Sequence, residues 1–179
     1  MSTLALPVAR RYGTRPAARH ALDASRLALH LDRLYRAALG MTGSRHDAED
    51  LVQEVCVKVL AKPRHLTNSD ELGYLLRVLR NTYISQRRTA ARRPAIAIAP
   101  EDFERFEGSG ADPEQALAAR ELYDRIATLP EHQRDVLVAV DLLGLSYQDA
   151  ADSLSVPVGT VMSRLFRARR ALAAATATA

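Results

Sequence analysis

The chain is poor in several residue types, and each shortage narrows the classes to which it can belong. It has no tryptophan, nine aromatic residues, one cysteine and two lysines among its 179 residues. A lone cysteine excludes a disulfide framework within the chain and favours a reducing compartment, so we expect a cytoplasmic protein. Cys56 itself lies among valines and is predicted to be a buried apolar residue rather than a reactive thiol.

Long apolar runs are also missing. No run approaches the roughly 20 residues that a helix needs to span a bilayer. The short apolar stretch LALPVA precedes the arginines between positions 10 and 19, whereas a secretory signal has its positive charges first. We therefore expect no membrane insertion and no secretion.

The sequence shows no pattern typical of catalysis. It has no glycine loop that binds phosphate, and its five histidines lie apart from cysteines and carboxylates at metal-ligand spacing. We therefore expect no enzyme activity, no cofactor and no bound metal.

Arginine, by contrast, is abundant, and its distribution divides the chain. Residues 73–95 carry a formal charge of +6, residues 96–111 carry −3, and residues 160–179 contain four arginines and no acid. Two separate basic regions predict two contacts with a polyanion.

Apolar residues recur at helical spacing along most of the chain, and we find no strand-like alternation. The sequence predicts an all-α protein in which a flexible linker joins two small helical domains. The expected division is a flexible basic tail over 1–21, a first domain over 22–93, a linker over 94–111 and a second domain over 112–174. Prolines, glycines and a switch to acidic charge mark the linker.

The first domain is predicted to contain three helices. One helix spans roughly 21–40, and Ser44 or Asp47 opens the next, DAEDLVQEVCVKVLA. Asp47, Asp50 and Glu54 share one side of this second helix, where we expect no lysine at i+4 to pair with them. Charge alone leaves two interpretations, a solvated face and a docking face for a basic protein.

The third helix of this domain is predicted from about Glu71 to Arg88, after a polar loop over 64–71 in which Ser69 or Asp70 provides the cap. Its arginines are expected to be exposed, with two tyrosines between them. This combination suits single-stranded nucleic acid, because phosphates meet the charges and unstacked bases stack on the rings. A single tyrosine in a helix is more often part of a core.

The second domain is predicted to begin with a helix that Asp112 caps and that buries Leu122, Ile126 and Leu129. Another helix follows, from Pro130 to Gly144.

The segment SYQDAADSLSVPVGTVMSRLFRARRAL, residues 146–172, then predicts a helix-turn-helix. Ser146 caps its first helix and Pro157 opens its second. Thr160, Ser163, Arg164 and Arg167 share a face that fits a DNA major groove. The alternative is an ordinary helical hairpin with a solvated basic face.

Three motifs in combination resemble the extracytoplasmic-function group of bacterial RNA polymerase sigma factors. They are DAEDLVQEVCVKVL, ELGYLLRVLRNTYISQRRTAARR and LPEHQRDVLVAVDLLGLSYQDAADSLSVPVGTVMSRLFRARRAL. The resemblance covers roughly residues 27–172 and implies a sigma domain 2, a linker and a sigma domain 4. It also implies three partners: core RNA polymerase through the clamp and flap of its largest subunits, promoter DNA, and an anti-sigma factor.

The resemblance assigns roles to individual residues. The polymerase-binding set would be Asp47, Asp50, Gln53 and Glu54. The loop from His65 to Ser69 would hold a flipped base of the −10 element, and the residues implied in −10 binding and melting are His65, Leu66, Thr67, Asn68, Tyr74, Arg77, Arg80, Asn81, Tyr83, Arg87 and Arg88. The residues implied in binding the −35 duplex are Pro157, Thr160, Met162, Ser163, Arg164, Phe166, Arg167 and Arg170.

Two positions depart from the family pattern: Tyr74 stands where many relatives have tryptophan, and Met162 where an arginine is common. The resemblance implies a sigma factor that directs promoter recognition, melting and initiation at a stress- or signal-responsive regulon. The alternatives are a free-standing helix-turn-helix regulator of duplex operator DNA and a degenerate relative that binds polymerase without initiating.

Overall fold

The computed structural model describes residues 19–92 and 113–176, which form two helical domains. The first domain contains β1 (His20–Ala21), α1 (Ala24–Ala28), α2 (Leu31–Thr42), α3 (Arg45–Ala61), β2 (His65–Leu66) and α4 (Asn68–Arg92). The second contains α5 (Pro113–Thr128), α6 (Glu131–Leu137), a π-helical stretch (Val138–Leu142), α7 (Tyr147–Leu154) and α8 (Val158–Thr176). The prediction of an all-α fold in two domains is confirmed.

The predicted linker over 94–111, most of the tail and the proposed cap at Asp112 lie outside the described residues. Within the described part of the chain, no helix is long and apolar enough to cross a bilayer.

Helix α2 is central because it packs on both domains. It contacts α3 and α4 of the first domain, and α5 and the π-helical stretch of the second. Gly40 of α2 lies at this junction, where an added Cβ would come within 2.7 Å of Leu142 Cδ1 and 3.3 Å of Ile126 Cγ2. The missing side chain at Gly40 therefore lets the two domains approach closely.

Two predicted helix starts are confirmed by hydrogen bonds. The Asp47 N–H donates to Ser44 Oγ at 3.3 Å, and the Asp149 N–H donates to Ser146 Oγ at 3.1 Å. Each bond satisfies one of the backbone donors that have no partner within the helix. Helix α2 ends at Thr42 and is capped by Gly43, whose φ of 70° lies in the left-handed region that favours glycine.

The predicted first helix is wrong in detail, because a turn divides it. Helix α1 ends at Ala28, the His30 N–H donates to the Leu27 carbonyl at 3.0 Å, and α2 begins at Leu31. The turn brings the His30 side chain within 2.8 Å of Glu71 on α4. A straight helix over 21–40 would not account for this contact.

The prediction that the chain forms no strands is also wrong, although the sheet is small. Strands β1 and β2 pair antiparallel, with His20 opposite Leu66 and Ala21 opposite His65. Two-residue strands are too short to produce the alternation from which strands are predicted. His20 and Ala21 fall within the predicted tail, yet they pair with a segment of the first domain.

Two burial predictions also fail. Leu122 is 46% exposed, while Ile126 and Leu129 are buried as expected. Tyr123, one residue on and so about 100° around the helix, packs against the core instead. Cys56 is only half-buried, and this partial burial raises the pKa of its thiol.

Candidate nucleic-acid interface

Helices α7 and α8 form the predicted helix-turn-helix. Ser155 ends α7 in the left-handed conformation, with φ of 56°, and the Val156 N–H donates to the Ala151 carbonyl at 3.0 Å. The Pro157 carbonyl then accepts from the Thr160 N–H at 2.9 Å, so α8 starts immediately after this proline. The turn between the two helices is therefore tight and fully bonded at its ends.

Helix α8 presents one buried face and one open face. Its buried residues are Val161, Leu165 and Ala168. Its open face includes Met162, which is 53% exposed, and Phe166, which is 66% exposed. The other predicted −35 residues are exposed or half-buried: Pro157, Thr160, Ser163, Arg164, Arg167 and Arg170.

The arginines of α8 differ in their partners. Arg169 pairs with Asp141, with an Nη2–Oδ1 distance of 2.6 Å. Within residues 19–92 and 113–176, no ion pair engages Arg164, Arg167 or Arg170. These three guanidinium groups are therefore available for an anionic partner.

Helix α4 carries the second set of predicted DNA residues, and part of this set is open. Arg77, Asn81, Arg87 and Arg88 are exposed. Tyr74 is half-buried, with the Arg64 guanidinium 5.9 Å from the centre of its ring. The open residues provide three positive charges along one helix.

The rest of the α4 set lies against the second domain. Arg80 Nε is 2.6 Å from Asp135 Oδ2, and Arg80 Nη2 is 3.3 Å from Glu131 Oε1. Tyr83 is buried, with the Arg134 guanidinium 5.4 Å from its ring centre. The prediction that Arg80 is exposed is therefore wrong, because α6 supplies two acids that bind it.

Asp135 is the most buried member of this contact. Burial raises the pKa of the Asp135 carboxyl, and the hydrogen bond from Arg80 only partly offsets this effect. The Arg80 pair therefore lies in a poorly solvated junction, where an ion pair is less screened by salt than on an open surface.

The predicted −10 loop is more ordered than a polar loop. His65 and Leu66 form β2, and α4 already begins at Asn68, so the expected cap at Ser69 or Asp70 is wrong. Thr67 precedes the helix, and its carbonyl accepts from the Asp70 N–H at 3.0 Å. His65 is exposed while Leu66 packs against the core, as neighbouring strand residues point to opposite faces.

The predicted polymerase-binding residues lie on one side of α3. Asp47, Asp50 and Gln53 are exposed, and Glu54 is half-buried. The expectation that no lysine at i+4 pairs with these acids is wrong for Glu54. Glu54 Oε1 is 2.6 Å from Lys58 Nζ, and His46 Nε2 is 3.6 Å from Asp50 Oδ2.

Glu54 has a second partner as well. The Gln86 amide of α4 donates to Glu54 Oε2 at 2.7 Å. The hydrogen bonds from Lys58 and Gln86 lower the pKa of Glu54, although its partial burial acts in the opposite direction. Glu54 is therefore a fixed carboxylate, whereas Asp47 is the freely exposed acid of the first turn.

Two family models match this chain in the regions just described. The Sigma-70 region 2 model matches residues 27–93, and the Sigma-70, region 4 model matches residues 119–172. The ECF RNA polymerase sigma-E factor of Escherichia coli (strain K12) is 34% identical over 137 residues, covering 70% of this chain and 72% of that protein. The chain belongs to the extracytoplasmic-function sigma factors.

Other relatives agree with this assignment. The ECF RNA polymerase sigma factor SigE of Mycolicibacterium smegmatis is 34% identical to this sigma factor over 147 residues, which cover 80% of the chain and 57% of the relative. The solved structure of the sigma factor RpoE from Bartonella quintana, in complex with the anti-sigma factor NepR, has a TM-score of 0.58 at 26% identity. That alignment covers 83% of this sigma factor and 92% of RpoE.

Sequence reasoning missed two groups of residues in this sigma factor. Glu131, Arg134 and Asp135 of α6 cover part of the α4 face, and no local spacing indicates a contact between residues some 50 positions apart. Glu71 is the other omission. Two adjacent acids, Asp70 and Glu71, at the start of a helix that is otherwise basic were the available signal, and they fit an N-terminal dipole contact equally well.

Proposed function

We propose that this sigma factor holds promoter DNA at two places, with α8 on the −35 duplex and α4 with its preceding segment on the −10 strand. The observation that carries the proposal is the open arginine face of α8 on a complete helix-turn-helix. Arg164, which is half-buried, and Arg167, which is exposed, lie near the middle of α8 and lack acidic partners among the described residues. Guanidinium forks of this kind bind guanine edges and phosphates in the major groove.

We propose that α4 contacts the −10 strand through its exposed arginines, without any movement of α6. Arg77, Arg87 and Arg88 would bind the phosphates of the melted strand, and His65 would face a flipped base. Arg80 and Tyr83 reach DNA only if α6 moves away from α4, because their side chains lie against Glu131, Arg134 and Asp135. The tyrosine at 74 would provide a smaller stacking surface than the tryptophan of many relatives.

Polymerase binding is proposed for the acidic side of α3. Asp47, Asp50, Gln53 and Glu54 present three carboxylates and an amide along about two helical turns. A basic helix of core RNA polymerase is the partner that this charge favours. The Lys58 and Gln86 bonds would hold Glu54 in place for that contact.

A protein inhibitor is also proposed as a partner. The related Bartonella quintana protein was solved in complex with the anti-sigma factor NepR, and we expect a protein of that class to bind this chain. We further propose that the chain acts in the cytoplasm, close to the nucleoid when it is bound to polymerase, and that it has no catalytic activity of its own.

The test is transcription with purified components. The protein is added to sigma-free core polymerase with genomic DNA, and the ends of the transcripts are sequenced. Discrete start sites that share upstream elements are expected. Their absence, together with intact duplex binding, would favour a free-standing regulator instead.

A charge-matched pair of variants sharpens the test. Arg167→Ala removes an arginine that has no acidic partner among the described residues, whereas Arg169→Ala removes one that already pairs with Asp141. Both lower the net charge by one. A larger loss of transcription for Arg167→Ala than for Arg169→Ala is expected, and equal losses would mean that α8 acts only through total charge.

A further inference from the structure

Glu71 is a buried carboxylate at the start of α4, and its described side-chain partners all come from one short segment. Only 2% of its side chain is exposed. Arg26 Nε donates to Glu71 Oε1 at 2.6 Å, His20 Nε2 lies 2.6 Å from the same oxygen, and His30 Nε2 lies 2.8 Å from Oε2. The segment from His20 to His30 is thus bonded to α4 through one carboxylate.

The same segment holds the predicted −10 loop from its other side. Strand β1 pairs with β2, and the Leu22 N–H donates to the Arg64 carbonyl at 2.9 Å. The Leu22 side chain is fully buried, so the backbone at this point cannot shift without opening the core. The loop strand is therefore held by β1 immediately before α4 begins.

These contacts close a ring. The chain runs from β2 through Thr67 into the first turn of α4, where Glu71 lies, and the Glu71 carboxylate returns to His20 of β1. Burial acts to raise the pKa of Glu71, but the hydrogen bonds from Arg26, His30 and His20 outweigh it and lower the pKa to about 2. The carboxylate is consequently charged at neutral pH, and its bonds are charge-assisted and strong.

We propose that Glu71 is a positioning residue for promoter selectivity, which fixes the strand His65–Leu66 by holding the segment His20–His30 against it. This inference rests on the proposed function of that strand at the −10 element. A pocket that selects one flipped base must be held in place by the residues behind it, because a loose pocket accepts several bases. Glu71 touches no DNA in this scheme and acts through β1.

The first measurement follows the loop without DNA. Amide hydrogen exchange is compared between the unchanged protein and Glu71→Gln, which keeps the shape of the side chain and removes its charge. Exchange of the Leu22 amide is expected to accelerate about tenfold, because its bond to Arg64 opens more often. The Gly43 amide, which donates to Leu39 at 2.8 Å, serves as the internal reference and is expected to stay unchanged.

The second measurement follows selectivity. Transcription by the full protein with core polymerase is measured on promoters that carry single-base changes in the −10 or the −35 element. Glu71→Gln is expected to reduce discrimination at −10 about tenfold and to leave discrimination at −35 unchanged. A merely destabilised protein would lose activity equally on all promoters. Its discrimination at −10 and its discrimination at −35 would therefore both stay unchanged.

Two further variants control the experiment. Asp32→Asn removes an exposed carboxylate of the same domain, paired only with Arg36 among the described residues, and is expected to change neither measurement. His20→Ala removes one of the three partners of Glu71 while Arg26 and His30 remain, and is expected to give the same changes at smaller size. It keeps the proposal testable if Glu71→Gln fails to fold.

The outcomes separate this inference from the proposed function. Unchanged Leu22 exchange in both Glu71→Gln and His20→Ala overturns the positioning role, whatever the promoters show. Faster exchange with unchanged −10 discrimination overturns the link to selectivity, while the sigma activity stands. Absence of promoter-directed transcription by the unchanged protein overturns the proposed function and this inference with it.

Discussion

The two DNA-binding faces proposed here resemble each other in composition and differ in their surroundings. On α8, Phe166 and Arg167 are exposed, and the helix offers its face to solvent. On α4, Arg80 is bonded to two acids of α6, and Tyr83 lies beneath Arg134. One face is open in this structure, whereas the second domain covers part of the other.

Because of this difference, the two faces are not equally accessible in this structure. The proposed α8 face would need no rearrangement to bind duplex DNA, whereas full use of the proposed α4 face would require that α6 and α7 leave α4. The domains are joined closely by small residues, since a Cβ at Gly73 would come within 2.7 Å of Ser153 Oγ. A partner that separates the domains would therefore expose Tyr83 and release Arg80 from Asp135 and Glu131.

The largest effect is expected from forcing this junction open. Gly40→Leu places a large side chain against Leu142 and Ile126, where a Cβ alone already comes within 2.7 Å of Leu142 Cδ1. Overpacking of this kind costs up to about 3 kcal/mol, which separation of the domains would relieve. We expect small-angle scattering to show a larger radius of gyration, and single-stranded −10 DNA to bind about tenfold more tightly.

A glycine in open space provides the control. Gly159 of α8 has no atom within 4 Å of a built Cβ, so Gly159→Leu should leave the scattering profile unchanged. If Gly40→Leu lowers the stability but keeps the original radius of gyration, the strain is absorbed within the core and the domains do not separate.

The second largest effect is expected on protein stability, from a substitution at the start of α4. Glu71→Gln is expected to lower the free energy of unfolding by about 2 kcal/mol at pH 7, a value reduced because its partners are partly exposed. The folded pKa of Glu71, about 2, lies below its ordinary value of 4.5. The stabilisation is therefore complete above about pH 5 and is lost as the pH falls toward 2.

Urea unfolding of both proteins at several pH values checks this expectation. The difference between the unchanged protein and Glu71→Gln should shrink steadily below pH 5, while duplex binding by α8 stays the same. A difference that is constant down to pH 3 would mean that the charge of Glu71 contributes nothing.

A structural feature could be predicted from the sequence when the residues that form it lie close together along the chain. The helix start at Ser146 was predicted because a cap and its partner lie three residues apart, and for α3 the prediction of Ser44 or Asp47 is decided in favour of Ser44. The helix-turn-helix was predictable for the same reason, because one continuous segment contains the residues of its turn and of its buried face. The resemblance to sigma factors likewise rests on motifs that can be read along the chain.

Contacts between distant segments were not predictable in this way. The bond between Arg80 and Asp135 joins helices on both sides of the predicted linker, and the ring around Glu71 joins residues about 50 positions apart. The exposure of an arginine depends on what packs against its helix, which no helical period specifies. Pairing of Glu54 with Lys58 is different, because an i+4 spacing was available and was overlooked.

A smaller effect compares the two faces directly. Arg167→Ala is expected to weaken binding of the −35 duplex by about 1.5 kcal/mol, because an open guanidinium that contacts a base is lost. Arg80→Ala should leave binding of the same duplex by the free protein unchanged, since Arg80 is held by Asp135 and Glu131. Titration of labelled duplex by fluorescence anisotropy measures both. Comparable losses for the two variants would show that the faces are equally accessible.

The smallest effect is expected at Met162, which is exposed on the open face of α8. Met162→Arg adds a positive charge beside Arg164 and Arg167 on the open face of α8. One added phosphate contact should tighten duplex binding by about 0.5 kcal/mol at moderate salt and steepen the dependence of log Kd on log salt by about 1. Binding measured at four salt concentrations gives both quantities. If the slope of log Kd against log salt stays unchanged while the preference among −35 sequences changes, position 162 contacts a base rather than a phosphate. The open face of α8 would then recognise sequence through position 162 as well as through its arginines.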